Sequence, residues 1–127
     1  MTAWFCWFFV SAIAGRFTAK LRGKDDHRFG MDHLPEPLQI GIFGDYDRNS
    51  PTLPFLEKSI EHASKELHVA AEAKWLPTPS LLDPEIETKL EAFDGLWAAP
   101  GSPYKSFDGM LHGIEFARRR DWPFVGT

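Results

Sequence analysis

The stretch DYDRNS, Asp45 to Ser50, places Asp45, Asp47 and Asn49 at alternate positions, as at the start of a calcium-binding loop. The sixth position is Ser50 rather than glycine, and the twelfth is Leu56, which has no bidentate carboxylate to offer. Asp45 and Asp47 are therefore expected to order their own loop and cap the helix behind it. His112 and Glu115 stand one helical turn apart and can share a metal, but two ligands alone on a helix face are ordinarily solvated. His33, His62 and His68 lack any supporting ligand spacing, so no metal is expected. Ser102 follows Gly101 on a strand-to-helix turn, which hints at a nucleophile elbow. The G-x-S-x-G pattern is absent, however, and no downstream Asp or His is placed to activate that hydroxyl. Gly41 and Gly44 do not form a dinucleotide fingerprint, and no phosphate-loop lysine is present. No cofactor is expected in this chain.

These residues need elements to hold them. Leu38–Phe43 is a short apolar run closed by Gly44 and a polar cluster, the pattern of a buried strand and its loop. Leu56, Ile60, Ala63 and Leu67 recur at helical spacing, while Glu57, Lys58, Glu61, Lys65 and Glu66 fall on the wet side. Ser50 or Thr52 is placed to cap that helix, with Pro51 or Pro54 in its first turn. Burial of Leu56, Ile60 and Leu67 would contribute about 1.5–3 kcal/mol each before entropy is counted. Val69, Ala71, Ala73 and Trp75 alternate as a second strand, broken at Pro77–Ser80. Asp83-Pro84-Glu85 reads as a helix start, followed by Ile86, Leu90 and Phe93 on its apolar side.

Gly95–Ala99 is a third strand without charge, and Pro100–Tyr104 is a loop. Phe107, Met110, Leu111, Ile114 and Ala117 then mark a helix whose last turn carries Arg118, Arg119 and Arg120, a solvated complement to its dipole. Trp122–Val125 is the fourth strand. Regular alternation of strand and helix predicts an α/β fold: a mostly parallel sheet with helices on both faces. Ligands of such sheets sit beyond the carboxyl ends of the strands. Here those ends carry GDYDRNS, APGSPYKS and FVGT.

The chain has 127 residues, enough for one domain, with a net charge of −4 that argues against nucleic acid as the main partner. The charge is uneven. Residues 1–30 hold five Lys/Arg and two Asp, a net of +3, so the remainder carries −7. The single cysteine, Cys6, permits no disulfide within the chain, and a reducing, cytoplasmic setting is the simplest expectation. Ala3–Gly15 is apolar for thirteen residues, short of the roughly 20 that cross a bilayer, which argues against a membrane span. Its length suits the core of a signal peptide, with Ala12-Ile13-Ala14 as a cleavage site, but no Lys or Arg precedes it. Three readings stay open: a signal or anchor that exports the chain, a true start at Met31, or an unusual N-terminal appendage. Residues 1–30 are accordingly set apart as an extension, and residues 31–127 as the domain.

Residues Phe93 to Thr127, FDGLWAAPGSPYKSFDGMLHGIEFARRRDWPFVGT, join four features in a fixed order. They are Asp94-Gly95 at a strand, a Pro100-Gly101 loop, Phe116-Ala117-Arg118 on a helix and Pro123-Phe124-Val125-Gly126 as a closing strand. Together with the opening IGIFGDYD and EKSIEHA, they resemble the class I glutamine amidotransferase domain, most closely the C-terminal glutaminase half of the CTP synthase family. The resemblance covers residues 38–127 and leaves out 1–37.

The resemblance implies a thiolate that attacks the side-chain amide of glutamine, a histidine that manages the protons, and release of ammonia, in that family for conversion of UTP to CTP. It implies Gly101 and Ser102 as an oxyanion loop and Pro103 and Tyr104 as substrate-binding positions. One backbone N–H donor of this kind is typically worth about 10²–10³-fold in rate. The nucleophile would follow Thr127 directly, and the Cys-His-Glu triad is absent, so this chain reads as the first part of a glutaminase, inactive by itself. The implied partners are glutamine or a related amide, a second copy of the chain, or a synthase domain.

The loop departs from the family. Pro-Gly-Ser-Pro-Tyr stands where the resemblance expects Pro-Gly-Gly-Phe-Gly, and Pro103 has no N–H to give. A relative acting on another amide, and a non-catalytic module that binds a partner, are the alternatives.

Overall fold

A computed structural model describes residues 36–101 and 103–127 of the chain. Residues 1–35 and Ser102 lie outside the described residues, and with them the expectations placed on the apolar head, on Met31 and on the Ser102 N–H. The elements run β1 (Leu38–Phe43), α1 (Leu53–Leu67), β2 (Ala71–Leu76), a 3₁₀ turn (Thr78–Leu82), α2 (Ile86–Leu90), β3 (Gly95–Ala98), α3 (Phe107–Arg119) and β4 (Phe124–Gly126). The strands form one sheet in the order β2-β1-β3-β4, with every pairing parallel.

Parallel strands need crossovers, and right-handed crossovers put the helix after β1 on one face and the helices after β2 and β3 on the other. The side chains divide that way. Leu53, Leu56, Ile60 and Ala63 of α1 pack with Leu38, Ile40, Ile42 and Trp97. Ile86 and Leu90 of α2, and Met110, Phe116 and Ala117 of α3, pack with Phe43, Leu96 and Ala98. The two-residue period of a strand sends Ile42 into one core and Phe43 into the other. The expected parallel α/β sheet with helices on both faces is thus the architecture observed.

Several local expectations need correction. The helix predicted from Phe107, Met110, Leu111, Ile114 and Ala117 forms, and Met110, Ile114 and Ala117 pack into the core as expected, but the other two do not. Phe107 and Leu111 are exposed, whereas Gly109, Met110, Gly113, Phe116 and Ala117 are buried. The reason is close approach. A Cβ on Gly109 would stand 1.9 Å from the Thr78 carbonyl oxygen, and one on Gly113 would meet the Phe43 ring at 2.7 Å. Two glycines four residues apart let α3 lie against the 3₁₀ turn and the sheet, and Phe107 and Leu111 are left on the outer side.

Of the two expected caps of α1, the Thr52 side chain makes no capping bond, and the Ser50 hydroxyl accepts from the Leu53 N–H at 3.4 Å. Helix α2 starts at Ile86, later than Asp83-Pro84-Glu85 suggests, and the Asp83 carboxylate accepts from the Glu85 N–H at 2.9 Å in a turn before it. Leu67 is half-buried. The second strand begins at Ala71 rather than Val69, and the fourth spans Phe124–Gly126.

The three arginines are not merely a solvated turn. Arg119 and Arg120 both reach Glu87 of α2, at 2.7 and 3.1 Å, and tie the two helices of one face together. The hydrogen bond from Arg120, then that from Arg119, together with their charges, hold the Glu87 carboxyl below the usual glutamate range despite the opposing effect of desolvation. Replacing Glu87→Lys sets three cations against one another. The expected result is a lower melting temperature in dilute buffer, largely restored near 1 M salt, where the screening length is about 3 Å. A melting temperature equally lowered at both ionic strengths would show that charge is not the link.

Candidate functional site

The strand order reverses between β1 and β3: the chain leaves β1 toward β2 and leaves β3 toward β4. In open parallel sheets the crevice beyond that switch point is where ligands bind. Gly44 ends β1 there, and a Cβ on it would come within 3.1 Å of both the Ala99 methyl and the Trp75 ring. The ends of β1 and β3 can approach only because that side chain is missing.

β3 and β4 are neighbours, with Ala98 in register with Gly126. The Thr127 N–H donates to the Ala98 carbonyl at 3.2 Å, and the Trp97 indole N–H donates to the Thr127 hydroxyl at 3.1 Å. Thr127 and Gly101 therefore leave the same end of adjacent strands. Gly101 is exposed with a φ of +149°, a region that residues with side chains rarely enter. Pro103 is exposed and Tyr104 half-buried. The Tyr104 hydroxyl donates to the Ala99 carbonyl at 2.9 Å, which folds the loop back on its own strand.

Asp45 does not cap the helix behind it. Its carboxylate crosses the end of the sheet: Oδ1 accepts from the Thr78 N–H at 3.0 Å, and Oδ2 accepts from the Thr78 hydroxyl at 2.7 Å and the Lys105 N–H at 2.8 Å. The Thr78 hydroxyl oxygen in turn accepts from the Ser106 N–H at 2.9 Å. Partial desolvation on its own would raise the Asp45 carboxyl. The Thr78 hydroxyl, the two N–H donors and the Lys105 charge outweigh it and hold the group below the usual aspartate range. A depressed folded-state pKa contributes stability that is present above the unfolded value and is lost as pH falls through the folded one.

Asp47 does order its own loop, accepting from the Asn49 N–H at 2.9 Å. No spacing rule connects residues 45, 78 and 105, and Thr78, between two prolines, reads in sequence as turn chemistry.

His112 is half-buried, and its Nδ1 donates to the Leu81 carbonyl at 2.7 Å, which ties α3 to the 3₁₀ turn. Among the described residues no group of three or more His, Cys, Asp or Glu is placed to hold a metal ion. Among them, too, no helix is long and apolar enough to cross a membrane.

An open parallel α/β sheet whose strand-end loops meet at its switch point is shared by a broad class of ligand-binding and catalytic domains. Comparison with known proteins narrows it. The chain is 27% identical over 117 residues to the CTP synthase of Christiangramia forsetii, covering 84% of this chain and 21% of that protein. It is 26% identical over 125 residues to the CTP synthase of Sulfurisphaera tokodaii, covering 90% of this chain and 23% of the relative. It is 28% identical over 95 residues to the CTP synthase of Nostoc punctiforme, covering 74% and 17%. The chain is therefore related to a segment of CTP synthases, and it spans about a fifth of the length of the curated relatives it matches. No family model matches it, and no solved structure matches it.

Proposed function

We propose that this chain forms part of the glutamine-hydrolysing domain of a CTP-synthase-type amidotransferase, and that a side-chain carboxamide binds at the carboxyl ends of β3 and β4. The observation that carries the reading is the shared end of those two strands. Gly101 leaves β3 at positive φ beside the exit of Thr127 from β4, and the relatives of the same stretch are named CTP synthases.

The chemistry follows from this chain's residues. Loop amide groups near Gly101 would face the oxygen of the amide as it becomes an oxyanion, and Pro103 and Tyr104 would line the approach. No cysteine occurs in residues 36–127, so those residues bind and orient the amide, and the thiolate step is not theirs. The supply of ammonia for making CTP from UTP, and a synthase partner to receive it, rest on kinship with the relatives.

Isotope-labelled chain titrated with L-glutamine tests this. The amide resonances of Gly101, Tyr104 and Thr127 should shift with L-glutamine, and less with L-glutamate. Gly101→Ala forces a Cβ into a strained backbone region that costs about 1–3 kcal/mol, so its affinity should fall roughly tenfold, which corresponds to about 1.4 kcal/mol. If L-glutamine shifts none of the three resonances, the reading fails.

One observation favours a second reading, a non-catalytic module: Pro103 puts a residue without an N–H where amide donors are wanted. On that reading L-glutamine leaves the three resonances unmoved while the sheet stays folded.

A further inference from the structure

Thr78 is the fully buried polar residue of the described core, and both its N–H and its hydroxyl go to a single carboxylate. That carboxylate, Asp45, belongs to the loop after β1, Thr78 opens the turn after β2, and Lys105 and Ser106 close the loop after β3. Three strand-end loops thus meet at one side chain. The chain of bonds continues into α3: the Ser106 hydroxyl accepts from the Gly109 N–H at 3.0 Å as the cap of that helix.

We propose that Asp45 is a positioning residue that sets the loop after β3. It acts through the Lys105 N–H directly and through the Thr78 hydroxyl on the Ser106 N–H, and so fixes where Pro103 and Tyr104 stand beyond the end of β3.

The physical argument is one of valence. An ionised carboxylate accepts on both oxygens and donates nothing, so it can gather three donors from three elements at once. Bonds to a charged acceptor are roughly twice as strong as neutral ones, and a bond chained through a hydroxyl is strengthened by its neighbour. Tyr104 pins the other side of Pro103 and Tyr104 to Ala99, so the segment from 103 to 106 is held at both ends. The part of this inference that concerns a bound carboxamide rests on the function proposed above; the setting of the loop does not.

Hydrogen exchange on the labelled chain, with L-glutamine as the added probe, separates the two. Asp45→Asn presents an NH₂ group to donors. The amides of Lys105 and Ser106 should then exchange roughly ten- to a hundredfold faster, the factor that loss of a hydrogen bond to a charged group implies. The sheet amides of Leu38 and Leu96, bonded to Ala70 and Pro123, should keep their protection. Thr78→Val, of similar shape but without the hydroxyl, should expose Ser106 in the same way, and Thr78→Ser should retain its protection.

Loop amides that exchange as in the parent overturn the proposal. So does loss of protection at Leu38 and Leu96 together with the loop in both Asp45→Asn and Thr78→Val, because the network would then be a general brace. If the parent binds no L-glutamine while the loop amides respond as stated, the proposed function falls and the positioning role of Asp45 stands. If the parent binds and the role is correct, Asp45→Asn should weaken L-glutamine about tenfold.

Discussion

Gly109→Ala should destabilise the domain by about 3 kcal/mol, at the upper end of what one added methyl does in a packed core. In a domain of this size that lowers the melting temperature by roughly 10–20 °C. The new Cβ would lie 1.9 Å from the Thr78 carbonyl oxygen, 2.9 Å from its carbon and 3.1 Å from the Ser106 hydroxyl. The first two are backbone atoms, and the residue that owns them is fixed on its other side by Asp45. The obstacle cannot turn away as a side chain would. Alanine has the better helix propensity by about 1 kcal/mol, so a helix judged on its own predicts stabilisation. Thermal and urea melts decide the sign, and an unchanged or raised midpoint would show that α3 does not lie against the 3₁₀ turn as described.

Phe116→Ala should cost about 3–5 kcal/mol, whereas Phe107→Ala should stay within about 0.5 kcal/mol of the parent. Phe116 is fully buried and its ring lies 5.7 Å from that of Trp122, on the segment that leads into β4. Trp122 is held in turn by its indole N–H, which donates to the Phe93 carbonyl at 3.0 Å. Removing the Phe116 ring leaves a cavity between α3 and the approach to the last strand. Phe107 is 64% exposed, so its loss removes little packing. Equal midpoints for the two variants would mean that the face of α3 is assigned wrongly. Trp122 is one of five tryptophans, and the difference in folded-state fluorescence between parent and variant should be seen for Phe116→Ala and not for Phe107→Ala.

The sheet was legible because strands and helices alternate and each strand end is punctuated. Gly44, Pro77 and Pro100 stop β1, β2 and β3 where the apolar runs suggest they stop, to within a residue or two. The neighbouring exits of Gly101 and Thr127 were implied by the family resemblance rather than by the order of elements, and the pairing of β3 with β4 places them so. The face of α3 was legible only in part: Met110, Ile114 and Ala117 turn inward as their spacing suggests, but residue hydrophobicity also ranks Phe107 and Leu111 above Gly109 and Gly113. A glycine is buried for what it lacks, and its value depends on a neighbour distant in sequence. The role of Asp45 was missed for a similar reason. An acidic residue two positions into a polar loop reads as local loop chemistry, and here Thr78 and Lys105 take its carboxylate instead.

The amino-acid sequence by itself determined the element order, the parallel sheet and the position of the Pro100-Gly101 loop. Those depend on local period, on proline and glycine punctuation, and on the handedness of the polypeptide. Only the tertiary structure decided that Gly109 and Gly113 rather than Phe107 and Leu111 complete the buried face of α3, which carboxylate joins the three loops, and that Arg119 and Arg120 converge on Glu87. Each of these is a contact between residues far apart along the chain. Packing chooses among the many pairings that composition allows, because only one of them lets the helices close on the sheet without a clash or an unpaired buried group.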